Sequence, residues 1–174
     1  MWLREPGFPT LILIVLEQQV SLASARAAFR RLSEVITPIT PKRFLRLDDA
    51  TLKAVGFSRQ KTTYARHIAQ AIVESHFDPV ALERMNDDAA RAALIQLKGI
   101  GSWSADIYLM MALRRPDIWP KDDLALAIAA QKVKGLASRP KPDELEILGA
   151  AWQPWRAVAA RMLWHFYLST RSGG

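Results

Sequence analysis

Apolar residues recur along this chain at three- and four-residue intervals, and no stretch alternates in the way a strand requires. The pattern predicts a helix from Pro9-Thr10 through Gln18-Gln19. A second helix is capped by Ser21 and carries Ala23, Ala27, Ala28, Leu32 and Val35 as candidate inward positions. Two prolines between Thr37 and Pro41 interrupt the chain. A short helix is then expected over 48–54, a turn at Gly56, and a longer helix over 58–75 with Ser58 as its cap. Asp78-Pro79 opens a short helix, and Asp87-Asp88 opens another that ends near Leu97. A glycine hairpin separates this one from a helix over 103–112. Pro116 and Pro120 bracket an irregular link. The last helices begin at Asp122-Asp123, Asp143 and Pro154. With glycine and proline punctuating helices throughout, the class is all-α.

Composition narrows the range of chemistry. The 174 residues suffice for one domain with a sizeable core or for two small lobes. A formal net charge of +7 favours a polyanionic partner, nucleic acid ahead of a membrane surface. The chain contains no cysteine, which excludes disulfides, thiolate zinc sites and cysteine-held iron–sulfur clusters. His67, His76 and His165 show no ligand spacing, so no metal site is expected. The apolar run Leu11 to Leu16 is too short to span a bilayer. Glu17-Gln18-Gln19 follows it directly, so it reads as a buried helix of a soluble intracellular protein rather than a secretory signal.

The segment Leu97-Lys98-Gly99-Ile100-Gly101-Ser102-Trp103-Ser104-Ala105 carries the most information. A dinucleotide fingerprint is ruled out, because the preceding segment is helical and Ser104 stands where a third glycine belongs. Gly99 alone would be an ordinary helix C-terminus with positive φ. Gly101 adds room for a second backbone to approach, and the helix that follows points its N–H groups and dipole outward, as a phosphate oxygen requires. Leu97 and Ile100 pack beneath. The pattern is a helix–hairpin–helix, and with the basic charge it predicts binding to a nucleic-acid backbone.

About twenty residues on, Asp122-Asp123 opens a helix. Such a pair is ordinarily a cap and its neighbour. Downstream of a phosphate grip it has a second reading. A carboxylate can stabilise the positive charge that develops on a deoxyribose as its base leaves, and can help activate the attacking water.

The chain resembles the helix–hairpin–helix (HhH-GPD) superfamily of DNA glycosylases, and within it the alkylbase branch of 3-methyladenine DNA glycosylases of type II. Four segments carry the likeness: Leu97 to Ala105, with Lys98 and Ser104 replacing the family's proline and threonine; Pro120-Lys121-Asp122-Asp123-Leu124; Trp152-Gln153-Pro154-Trp155-Arg156; and Leu16-Glu17-Gln18-Gln19-Val20-Ser21. The resemblance implies a single domain over 1–174. Its central lobe, over 20–115, contains the hairpin, its second lobe comprises 1–19 with 116–174, and the active site lies in the cleft between them. It also implies that Asp123 is the catalytic carboxylate, with Asp122 a helix cap or supporting residue. Relatives with lyase activity carry a lysine two residues after the second hairpin glycine. Trp103 stands there, which implies base removal without strand cleavage.

By the same match Trp103, Ile107 and Trp164 fall in or near the pocket for a flipped, alkylated base. Tyr108 is added because the branch has a tyrosine at the Ile107 position, and Gln18 because it lies in the turn that probes the base stack. Gln19 would fill the gap left by the flipped base. Lys98, Gly99, Ile100, Gly101, Ser102 and Ser104 would form the DNA-binding hairpin. Trp152 and Trp155 read as packing. No cofactor is implied beyond a monovalent cation at the hairpin when DNA is bound. The partner is double-stranded DNA with damaged bases, the state a monomer, and the location, for a bacterial source, cytoplasmic and nucleoid-associated. Two alternatives stay open: a glycosylase for uracil or another deaminated base, and a helix–hairpin–helix protein that binds DNA without chemistry.

Overall fold

A computed structural model describes residues 3–171, and among them every regular element is a helix. The chain forms two compact units, residues 1–113 and 114–174.

The first unit is built around α1 (Phe8–Glu17). Leu11, Ile12, Ile14, Val15 and Leu16 are at most 1% exposed, so this helix is apolar nearly all round and has to be enclosed. It packs on α2 (Leu22–Val35), α5 (Arg59–Val73) and α7 (Ser102–Met111). These contacts put α1 in the first unit, whereas the sequence reading grouped residues 1–19 with 116–174. A helix so apolar buries where most apolar surface surrounds it. The segment ahead of it is also tied down here. The Arg4 backbone N–H donates to Met111 O, Gly7 N–H donates to the Tyr108 hydroxyl at 2.8 Å, and Arg4 makes a two-point ion pair with buried Glu17.

Capping follows local sequence closely. Ser21, Asp48, Ser58 and Asn86 each accept a first-turn N–H at the starts of α2, α4 (Asp49–Val55), α5 and α6 (Asp87–Ile95). On α2 the inward stripe is Ala25, Ala28 and Leu32; Ala23 and Val35 face solvent and Ala27 is half-buried, a rotation from the expected face. The short α3 (Pro41–Phe44), started by Pro41 and capped by Thr40, lies where only a break was expected, because buried Phe44 anchors it against Phe8 and Phe57. The helix expected at Asp78-Pro79 is a 3-10 turn, Ala81–Arg84.

The fully buried Tyr108 hydroxyl is pushed up to about 12, chiefly by burial. The folded chain therefore keeps this proton above pH 10, where the unfolded chain releases it. Stability is full below pH 10 and falls by about 1.4 kcal/mol per pH unit as pH rises toward 12. Urea unfolding at stepped alkaline pH should show that decline, and Tyr108→Phe should flatten it.

The second unit contains α8 (Leu124–Lys134), α9 (Pro142–Ala150) and α10 (Arg156–Arg171), with α8 packed on both of the others. The Trp-Gln-Pro-Trp-Arg segment is a structural corner. Trp152 lies 5.3 Å from Trp119, whose indole N–H donates to Leu145 O. Gly149 makes room for that indole, since a Cβ there would come within 2.6 Å of it. Arg156 clamps both carboxylate oxygens of Asp117 at 2.8 Å and holds its pKa below the usual range. Trp155 is 61% exposed and so is not the packing residue expected.

Candidate active site and nucleic-acid interface

The first unit presents the hairpin. Ile100 N–H donates to Leu97 O at 3.0 Å, closing a tight turn between α6 and α7. Gly99 has φ +92° and lies against the Tyr64 ring, where a Cβ would come within 2.2 Å of Cγ. Gly101, the N-cap of α7, has ordinary extended φ −94° and meets no protein atom within 4 Å of where its Cβ would be. The two glycines therefore differ in kind. Gly99 is required by the fold, while the protein itself imposes no steric demand at Gly101. No side chain caps α7, and the first-turn N–H groups of any helix lack acceptors within it.

Gln18, one of the expected base-pocket residues, is tied into the hairpin. Its amide nitrogen donates to Gly99 O at 2.8 Å and to Ser104 Oγ at 3.0 Å, linking the end of α1 to both sides of the turn. Gln19 is exposed with φ +57°. Lys98 and Ser102 are exposed, Ile100 and Ser104 are buried, and Trp103 is half-buried on α7. Together Gln18, Gln19, Gly99, Ile100 and Gly101 line a depression of about 380 Å³ whose other wall is Gln60, Lys61 and Tyr64 of α5.

The sequence reading missed those three residues. Their spacing at i, i+1 and i+4 after the Ser58 cap marks them as one helix face, but nothing local says that the face meets a turn some forty residues later. The Lys61 ammonium donates to Leu16 O at 2.7 Å, in the last turn of α1, and partial burial lowers its pKa.

One pocket expectation is corrected. Tyr108 is wholly enclosed and bound to Gly7, so it is core rather than pocket wall; a residue one step along a helix from Ile107 points about 100° away from it. Ile107 is itself only 4% exposed.

The second unit presents the carboxylate. Asp123 is the N-cap of α8, and its Oδ1 accepts Leu126 N–H at 2.7 Å and the Trp164 indole N–H at 2.9 Å. The cap assigned to Asp122 therefore belongs to Asp123, and Asp122 is exposed just before it. Both Asp123 and Trp164 are under 10% exposed, so the pair is rigidly enclosed. The carboxylate sits at the positive end of the α8 dipole with one oxygen oriented by two donors from separate helices. Trp164 thus holds the acid by its N–H edge. This contact spans forty-one residues of sequence and leaves no trace in local pattern.

Among the described residues no group of three or more His, Asp or Glu side chains could hold a metal ion, and no helix is long and apolar enough to cross a membrane.

Known proteins are similar to this chain in fold and in sequence. A 3-methyladenine DNA glycosylase from Schizosaccharomyces pombe, solved in complex with abasic DNA, superposes with a TM-score of 0.85 at 28% identity, over 90% of this chain and 78% of that one. A DNA-3-methyladenine glycosidase from Bacillus halodurans gives a TM-score of 0.80, also at 28% identity, over 95% of this chain and 77% of that one. By sequence, an alkylbase DNA glycosidase-like protein of Schizosaccharomyces pombe is 32% identical over 77% of this chain and 63% of its own length. A DNA-3-methyladenine glycosylase of Bacillus subtilis is 28% identical over 93% of this chain and 59% of its own length. The chain thus spans about three-fifths of the length of these two curated relatives. The family model for HhH-GPD superfamily base excision DNA repair proteins matches residues 12–156, from the buried α1 through the hairpin and Asp123 to the Arg156 clamp. With the hairpin and the capped aspartate both inside that match, the chain belongs to the HhH-GPD superfamily of base excision DNA repair proteins.

Proposed function

We propose that this protein is a monofunctional DNA glycosylase that hydrolyses the N-glycosidic bond of alkylated purines such as 3-methyladenine and leaves an abasic site. The observation that carries this reading is the buried Asp123 carboxylate, held at the start of α8 by Leu126 N–H and the Trp164 indole. An alkylated purine is already a good leaving group. As its bond to C1′ lengthens, the electron pair leaves with the base and positive charge spreads over C1′ and the ring oxygen. A fixed carboxylate stabilises that charge with little reorganisation. Water then adds to C1′ and loses its proton, with the same carboxylate placed to receive it. No amine stands at the position of Trp103, so no covalent sugar adduct forms and the strand stays intact.

The hairpin's role in this reading is to grip the backbone of a double-stranded substrate at the open face of Gly101, and Gln19 fills the stack when the damaged nucleotide is flipped out. Trp103, with its ring half-buried, is the candidate platform for the flipped base. The enzyme acts as a monomer, in the compartment that holds the chromosome. It requires no cofactor for the chemistry; a monovalent cation at the hairpin carbonyls would serve DNA binding only.

Methylated duplex DNA incubated with the purified chain should release free 3-methyladenine or 7-methylguanine, measured by chromatography of the freed bases. Release only from uracil-containing duplex would move the substrate to deaminated bases. Release from neither would leave a DNA-binding protein without chemistry. Trp164→Phe keeps the ring and removes one donor to Asp123. It should slow single-turnover excision by roughly tenfold, the worth of one hydrogen bond to a charged group, with affinity for abasic duplex unchanged.

A further inference from the structure

The excess positive charge is not on the hairpin. Residues 20–66 contain ten Lys and Arg against three Asp and Glu, which equals the whole net charge of +7. Residues 67–113, with the hairpin, contain three basic side chains against six acidic ones. A backbone grip made of N–H groups and Lys98 therefore sits on the acidic half of its own unit.

Three of these ten basic residues lie about the turn between α4 and α5. Arg31 on α2 donates from Nε to Val55 O at 3.1 Å, so its guanidinium lies at this turn. It comes within 2.8 Å of where a Gly56 Cβ would be. Lys53 is in the last turn of α4 and Arg59 is the first residue of α5. All three side chains are exposed, and neither Lys53 nor Arg59 has a carboxylate partner among the described residues. Gln60 and Lys61, the next residues of α5, already line the depression beside the hairpin.

From this placement we infer a second DNA-backbone surface at the α4–α5 turn, formed by Arg31, Lys53 and Arg59. It is separate from the hairpin and adds about three phosphate contacts to the salt-dependent part of binding. The inference rests on the DNA reading above and names a place in the first unit where electrostatic affinity resides. Three cations facing phosphates would release about three counterions, each worth about 0.9 in the slope of log affinity against log salt. The contact is blind to base identity, so it acts equally on damaged and undamaged duplex.

The test is affinity for a duplex with one abasic site and for the same duplex undamaged, titrated from about 50 to 200 mM salt. Arg31→Gln with Lys53→Gln and Arg59→Gln should lower the slope by about 2.7 on both duplexes and weaken binding at least tenfold at the low-salt end. The Lys53→Gln, Arg59→Gln pair leaves the Arg31 bond intact and should lower it by about 1.8, which keeps the test valid if the triple variant unfolds. Arg31→Lys with Arg59→Lys should retain the slope. An unchanged slope in the neutralised variants, or an equal loss in the charge-preserving one, overturns the inference. If the chain excises no base yet the slope falls as stated, the surface stands and the glycosylase reading fails. If excision is found and the slope is unmoved, the surface fails alone.

Discussion

Asp123→Asn should abolish base release while leaving the protein folded and still bound to abasic DNA. The reason lies in the two duties of this side chain. As an N-cap, Asn is as good as Asp, and its amide oxygen can still accept from Leu126 N–H and the Trp164 indole, so the start of α8 survives. As an electrostatic group it is neutral, and nothing then opposes the charge on the sugar as the base departs. We expect single-turnover excision to fall by at least about a thousandfold, at the upper end for a lost electrostatic group and within reach of a lost general base. The thermal midpoint should move by no more than a few degrees. A variant that releases base at a tenth of the parent rate would remove Asp123 from the chemistry and leave it as a cap.

The second large effect separates the two hairpin glycines. Gly99→Ala should cost about 3 kcal/mol or more. It combines the penalty of about 1–2 kcal/mol for a side chain at positive φ with a Cβ driven into the Tyr64 ring. Gly101→Ala should cost no more than about 1 kcal/mol, the ordinary penalty of alanine at an N-cap, since its φ suits any residue and no protein atom lies nearby. Affinity should show the reverse pattern: a methyl at Gly101 stands where a phosphate would approach and weakens DNA binding in a fully folded protein. Urea unfolding and DNA titration on the same two variants measure both halves. Equal destabilisation by the two substitutions would mean that Gly101 too is structural, and that its open face is not a binding face.

These results differ in how far local sequence could anticipate them. The caps at Ser21 and Ser58, the start of α1 beside Pro9 and the hairpin can be read from local sequence, because each depends on bonds within three or four residues. What went astray had distant partners. Tyr108 looked like a pocket aromatic until Gly7, a hundred and one residues away, was found at its hydroxyl. The bonds from the Gln18 amide to both sides of the hairpin, more than eighty residues away, leave no mark in local pattern. The exposure of Trp155 and the rotation of α2 were likewise settled by neighbours, not by pattern.

By itself, then, the sequence determined that the chain is helical, where most of its helices start, that a glycine hairpin precedes a capped aspartate, and to which superfamily the combination belongs. Tertiary structure alone decided that Trp164 holds Asp123, that Tyr64 makes Gly99 obligatory while Gly101 stays open, and that Arg31 of α2 reaches the α4–α5 turn. The division follows from the range of the forces involved. Capping and helical periodicity act over one turn of chain and can be read along it. The grip on a carboxylate, the space beside a glycine and the convergence of cations depend on which helices meet, and that is set by burial of the core as a whole.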